Sequence, residues 1–168
     1  MILSKTSNQS GTSLIEATIA ACTSALFLGS LFTMNMTGMR TMRTAREAAN
    51  ASQVLQQRVE ALRIANWHQV TNADWITTNL FNANAAGSDS LKNVTETLTL
   101  TPYEGTTSAS TQIVRTNGTT SIVSRNSSLL TEHAMKVVWK VDYKGGPQAV
   151  STTRQTVAIL AKGGVAKW

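Results

Sequence analysis

Glu16 is a carboxylate at the head of a long neutral stretch. From Ala17 to Met39 the only titratable side chain is the thiol of Cys22. A charge in that position has two physical uses. It can pair with a cation brought by another chain. It can also sit near a helix N-terminus, where the macrodipole favours negative charge; Ser13-Leu14-Ile15-Glu16 has the S-x-x-E spacing of a capping box. The other reactive groups are scattered. His68 and His133 show no H-x-x-x-H or cysteine partner spacing and read as surface or interface histidines. Cys22 is the single cysteine, which forbids an intrachain disulfide and any multi-cysteine zinc site. No G-x-S-x-G, Walker loop or G-x-G-x-x-G occurs, and the 9 acidic residues form no evident catalytic pair. Met34, Met36, Met39 and Met42 read as adaptable packing residues, not a metal box. No catalytic residue, metal or cofactor is therefore expected, and the chain reads as a structural or binding protein.

The element that must carry Glu16 is a helix. The 23 residues from Ala17 to Met39 would rise about 35 Å, enough to cross a hydrocarbon core of about 30 Å. Thr18, Thr23, Ser24, Ser30, Thr33, Asn35 and Thr37 interrupt the apolar run. Such hydroxyls can bond back to their own helix or reach a neighbouring one, so they suit a span that packs against other helices. Three readings compete for this terminus. A cleaved secretory signal would need a more basic start than Lys5 and a shorter apolar stretch. A lipoprotein signal is suggested by Ile19-Ala20-Ala21-Cys22, but the greasiest residues, Ala25 to Phe32, follow the cysteine. The third is a short polar leader ending at Gly11, with the apolar helix retained.

Gly11-Thr12-Ser13-Leu14-Ile15-Glu16 resembles the type IV prepilin signature. In that family a membrane peptidase cuts after a glycine and methylates the new terminal amine, and a glutamate stands fifth in the mature chain. The resemblance implies residues 1–11 as leader, cleavage between Gly11 and Thr12, N-methylation of Thr12, and Glu16 as the subunit-pairing carboxylate. Its partner would be the terminal amine of a neighbouring subunit. It implies as partners a prepilin peptidase, other pilin or pseudopilin subunits, an inner-membrane assembly platform, and membrane lipid before assembly. The expected location is the inner membrane, single-pass, with the C-terminal domain outside the cytoplasm, and a filament after assembly. The first proline is Pro102 and there is no cysteine pair; both features favour a minor pilin or a type II secretion pseudopilin over a major pilin. Any kink in the helix would fall at Gly29 or Gly38. One feature opposes this topology. Arg40, Arg43 and Arg46 follow the span and only Lys5 precedes it, so the positive-inside rule would place those arginines in the cytoplasm.

The remainder of the chain supplies a domain for the helix to carry. Residues 12–39 form the hydrophobic segment, and 40–66 continue the helix. That continuation has no Gly or Pro, a possible Arg43–Glu47 i,i+4 pair, and a stripe of Ala48, Ala51, Val54, Leu55, Val59 and Leu62. One helix from about Ser13 to Asn66 would be roughly 80 Å long. Residues 67–93 read as a connecting loop with short helical turns. Residues 94–168 follow period two. Val94, Leu98 and Leu100 share a face that Glu96 breaks. Asn117-Gly118 between Gln112–Thr116 and Thr119–Ser124 is a two-residue hairpin signal. Val137, Trp139, Val141 and Tyr143 line one side of the clearest strand, Gly145-Gly146-Pro147 turns the chain, and Val150 to Ala161 returns with Val157 and Ile159 expected inward. The expected fold class is α+β: a long N-terminal helix, membrane-spanning in its first half, packed by its second half on a small antiparallel sheet.

Composition bounds the partners. The chain has 168 residues, is 14% charged and carries a formal charge of +6. That is a weak, dispersed field and not a polybasic arm. Arg115, Arg125, Lys136, Lys140 and Lys144 could touch DNA at a filament tip, but lysines on strands more often keep edges apart, so nucleic acid is not the expected partner. Two alternatives stand beside the filament subunit: a DNA-binding or adhesive tip pilin of an uptake filament, and a single-span anchored domain that never assembles.

Overall fold

No proline interrupts the chain before Pro102, and Ser10–Ile64 forms one continuous helix, α1. The computed structural model describes residues 10–82, 84–103, 109–146 and 149–163. Positions 1–9 of the expected leader, Pro147 of the expected turn and positions 164–168 lie outside the described residues. The chain divides into two units, Met1–Met42 and Arg43–Trp168.

In the first unit every described side chain from Ser13 to Met42 is exposed. The helix passes through Gly29 and Gly38 without a break. Its hydroxyls are turned onto its own backbone. Thr18 donates to the Leu14 carbonyl, Thr23 to Ile19, Ser30 to Phe27, Thr33 to Gly29, Thr37 to Thr33 and Thr41 to Thr37, at 2.7–3.0 Å. This is how a run so rich in threonine stays compatible with an apolar solvent: the protons of these six hydroxyls are already satisfied. Because α1 starts at Ser10, Ser13 lies inside the helix and not at its N-cap. The capping-box alternative for Ser13–Glu16 is thereby corrected.

The second unit is α+β. The later part of α1 packs Ala51, Val54, Leu55, Val59 and Leu62 into a core with a five-stranded antiparallel sheet. The strands are β1 (Lys92–Pro102), β2 (Thr111–Thr116), β3 (Thr119–Ser124), β4 (Ala134–Gly145) and β5 (Val150–Ala161), in spatial order β3-β2-β1-β4-β5. Two short helices, α2 (Trp67–Val70) and α3 (Ala73–Asn79), and two 3-10 turns (Ser88–Ser90 and Ser127–Leu130) make the connections. Asn66 caps α2 by a reciprocal capping box with Gln69. Asn72 caps α3 by accepting from the Asp74 and Trp75 amides. The β2–β3 turn places Asn117 at φ 48° and Gly118 at φ 90°, both left-handed, as an Asn-Gly type I′ hairpin requires.

Strand phase decides which side chains reach the core. On β4 the odd residues Met135, Val137, Trp139, Val141 and Tyr143 are buried, in agreement with the period-two reading. β5 is out of phase with its sequence expectation. Val157 and Ile159 are 52% and 56% exposed, not inward. Their register partners are Val138 and Lys136, on the outer face of β4, whereas Thr156, Ala158 and Leu160 stand opposite Trp139, Val137 and Met135. Directly opposed residues share a face, so the β4 core residues dictate that the even positions of β5 point inward. On β1 the register to β4 slips by one residue between Lys92 and Thr95, where Asn93 adopts φ 50°. Beyond that bulge the even positions Glu96, Leu98 and Leu100 face the core.

Candidate functional site

The residues singled out by the sequence sit in the first unit. Gly11 and Thr12 fall in the opening turn of α1, and Glu16 follows one turn later with its side chain exposed. Beside it Leu14, Ile15 and Ile19 are exposed as well, and further along the same helix so are Leu26, Phe27, Leu28, Leu31 and Phe32. Exposed apolar side chains in this number are what membrane and protein-interaction surfaces carry. The helix is long and apolar enough to cross a membrane. Cys22 is a free, exposed thiol within it. What this arrangement offers chemically is one carboxylate held on a rigid rod among apolar side chains.

The second unit contains a charged cluster that sequence reasoning missed. Glu96 is 0% exposed, and Arg58 of α1 and Arg115 of β2 are each 6% exposed. Arg58 grips the carboxylate side-on, with Nε 2.9 Å from Oε2 and Nη2 3.1 Å from Oε1. Arg115 Nη1 donates to Oε1 at 3.0 Å. Arg58 Nη1 also donates to the Leu80 carbonyl at the end of α3. Its guanidinium carbon lies 5.5 Å from the Phe81 ring centre and 6.0 Å from that of Trp139. Those two rings stack at 5.1 Å. The positive charge of Arg58 is thus spread over a carboxylate, a carbonyl and two π faces. Arg115 Nη2 donates to Asn84 Oδ1. A buried cluster of two cations and one anion is expensive to desolvate and survives only because nearly every donor has an acceptor.

The same kind of clamp holds α1 to the β4–β5 connection. Glu47 Oε2 accepts from the Gly146 amide at 2.7 Å, and Oε1 accepts from Arg43 Nε at 2.9 Å. The expected Arg43–Glu47 pair therefore forms. The Gly146 hydrogen bond, reinforced by Arg43, holds the Glu47 carboxyl below its usual range against the opposing effect of burial.

The basic residues considered for nucleic acid are mostly engaged. Arg115 is buried in the cluster. Arg125 makes a two-pronged pair with Asp74, at 2.6 and 2.7 Å, which lowers the Asp74 pKa. Lys140 lies 2.9 Å from Asp142 on the same strand. Lys136 and Lys144 are exposed, as are His68 and His133. No group of three His, Cys, Asp or Glu side chains that could hold a metal ion occurs among the described residues.

No protein-family model, no curated protein and no solved structure matches this chain.

Proposed function

We propose that the chain is a structural subunit of a type IV pilin-like filament, a minor pilin or a type II secretion pseudopilin, cut after Gly11 and assembled from the inner membrane. The observation that carries this reading is the joint placement of Glu16 and the exposed apolar side chains on one helix that continues into an α+β domain. Before assembly the bilayer covers the apolar side chains. In the filament, neighbouring helices cover them instead. The carboxylate then has a task that lipid cannot fill, because an uncompensated acid in the apolar zone costs roughly 2.5–3.5 kcal/mol. The terminal amine created by cleavage at Thr12 of a neighbouring subunit supplies the counter-charge. Pairing fixes axial register, since a subunit docked out of step leaves both charges unmatched. The back-bonded hydroxyls of Thr18, Thr33 and Thr37 support the exchange of lipid for helix contacts, because neither environment strands their protons.

Mass spectrometry of the native N-terminus tests this. The reading expects a chain that starts at Thr12, with or without an added methyl group. A native chain that retains residues 1–11 and stays dispersed in the bilayer rejects it in favour of a single-span anchored domain.

A further inference from the structure

β5 stands at one edge of the sheet, and among the described residues no strand lies on its far side. Two hydrogen bonds show which of its backbone groups face that open edge. Tyr103 N–H donates to the Ala134 carbonyl at 3.0 Å, so the even residues of β4 bond to β1. Lys162 N–H donates to the His133 carbonyl at 2.7 Å, so the odd residues of β4 bond to the even residues of β5. Hydrogen-bonded and non-bonded pairs alternate along an antiparallel ladder. Ser151, Thr153, Gln155, Val157, Ile159 and Ala161 therefore turn their N–H and C=O groups to the open side. The strand is 12 residues long, has no proline and carries one charged side chain, Arg154. An edge of that kind is a template on which a further strand pairs.

The chain itself is placed to supply that strand. Lys162 and Gly163 form a turn after β5, and Gly163 sits at φ 106°, a left-handed conformation that glycine takes without strain. Gly163 also lines a groove of about 760 Å³, walled by Leu62 and Val70 on one side and by Ile159 and Leu160 on the other. Gly164-Val165-Ala166-Lys167-Trp168 comes next, with three apolar side chains in five residues. A reversal across Lys162-Gly163 sets Gly164 opposite Ala161. The parity then matches: Ala161, Ile159 and Val157 offer their backbone groups to Gly164, Ala166 and Trp168. Opposed residues share a face. Val165 falls opposite Leu160, on the groove side. Ala166 and Trp168 fall opposite Ile159 and Val157, the two exposed apolar side chains of the outer face. Lys167 falls opposite Ala158, where its long stem lets the ammonium reach water. One register thus gives every apolar side chain of the segment an apolar neighbour.

We propose that residues 164–168 add a sixth strand, antiparallel on the open edge of β5, and close that part of the edge against other chains. This holds whether or not the chain is cut after Gly11.

Amide hydrogen exchange of the full chain in detergent micelles, followed by NMR, tests it. Val157, Ile159 and Ala161 are expected to exchange about tenfold more slowly than Ser151 and Thr153, which share the edge but lie beyond the reach of five residues. A chain truncated after Gly163 should exchange all three at the rate of Thr153. So should Gly163→Val, which keeps the segment but puts a β-branched residue at a left-handed position. Equal rates along the edge of the full chain, or slow exchange that survives in either variant, overturn the proposal. Slow exchange that disappears on dilution overturns it too and assigns the edge to a second copy of the chain.

Discussion

Glu96 stands directly opposite Arg115 in the β1–β2 register, with Oε1 3.0 Å from Nη1, and Arg58 closes over the same carboxylate from α1. One carboxylate therefore ties the central strand to its neighbour and to the helix. Removing it would strand two buried guanidiniums. Glu96→Gln keeps the shape and deletes the charge, and it is expected to cost about 3–5 kcal/mol, the usual penalty for breaking a buried pair. Replacing all three residues together, by Arg58→Met, Glu96→Leu and Arg115→Leu, should cost far less or nothing, because the desolvation penalty disappears with the charges. Urea unfolding of the detergent-solubilised chain, followed by tryptophan fluorescence, compares the two. A triple variant that is less stable than Glu96→Gln would show that the cluster contributes net stability.

The sequence patterns contain this cluster only as three separate faults. Arg58 interrupts the stripe of Leu55, Val59 and Leu62. Glu96 interrupts Val94, Leu98 and Leu100. Arg115 falls on the inward side of β2 beside Ile113. Each alone looks like a small error of period. They become one site when the register is known. The turn at Asn117-Gly118 fixes one half of that register and is legible from residue type. The bulge at Asn93 fixes the other half and carries no comparable signal. Helix existence, the hairpin and the inward face of β4 are legible because each has one clear apolar phase. β5 has none: Val157-Ala158-Ile159-Leu160 is apolar in both phases, so alternation alone cannot say which pair points inward.

Ile159 lies on the outer face, opposite Lys136. Ile159→Thr should change stability by less than about 1 kcal/mol, as exposed positions usually do. Trp139 is 0% exposed and stacks on Phe81, so Trp139→Ala should cost about 3–5 kcal/mol. Thermal unfolding of the two variants checks the phase of β5. An Ile159→Thr loss approaching that of Trp139→Ala would mean that the odd positions of β5 are inward.

Acid sensitivity should trace in part to Glu47. The amide of Gly146 donates to its carboxylate, Arg43 adds a second bond, and the pKa is lowered from 4.5 despite burial. A lowered folded-state value means that the folded chain favours the ionised form. The stabilisation is complete above the unfolded value and is lost as pH falls through the lower, folded value. At pH 7 Glu47→Gln is expected to cost about 2 kcal/mol, in the range for a hydrogen bond to a charged group. Below the folded value the parent chain loses that advantage, and the two should converge. Asp74 and Asp142 also have lowered pKa values, but both remain in the variant and cancel in the difference. Urea unfolding at pH 7 and at pH values stepping down through the acidic range measures the gap; a gap constant with pH would remove Glu47 as the cause.

Glu16 separates insertion from assembly. Its side chain is exposed among Leu14, Ile15 and Ile19 on a helix otherwise neutral to Met39. Deleting the charge by Glu16→Ala removes an insertion cost that is at most roughly 2.5–3.5 kcal/mol, the value at the bilayer centre, so membrane localisation should persist. If the carboxylate meets the terminal amine of a neighbour, the same change removes an ion pair formed in a low-dielectric environment. A loss of only about 1.4 kcal/mol per docking event lowers incorporation about tenfold. Fractionation of cells and immunoblotting of sheared filaments read the two outcomes separately. Glu16→Asp retains the charge on a shorter stem and should recover part of the incorporation, which a purely apolar packing role would not allow. Filaments that contain Glu16→Ala subunits at the parental level would dismiss charge pairing and leave α1 as an apolar anchor alone.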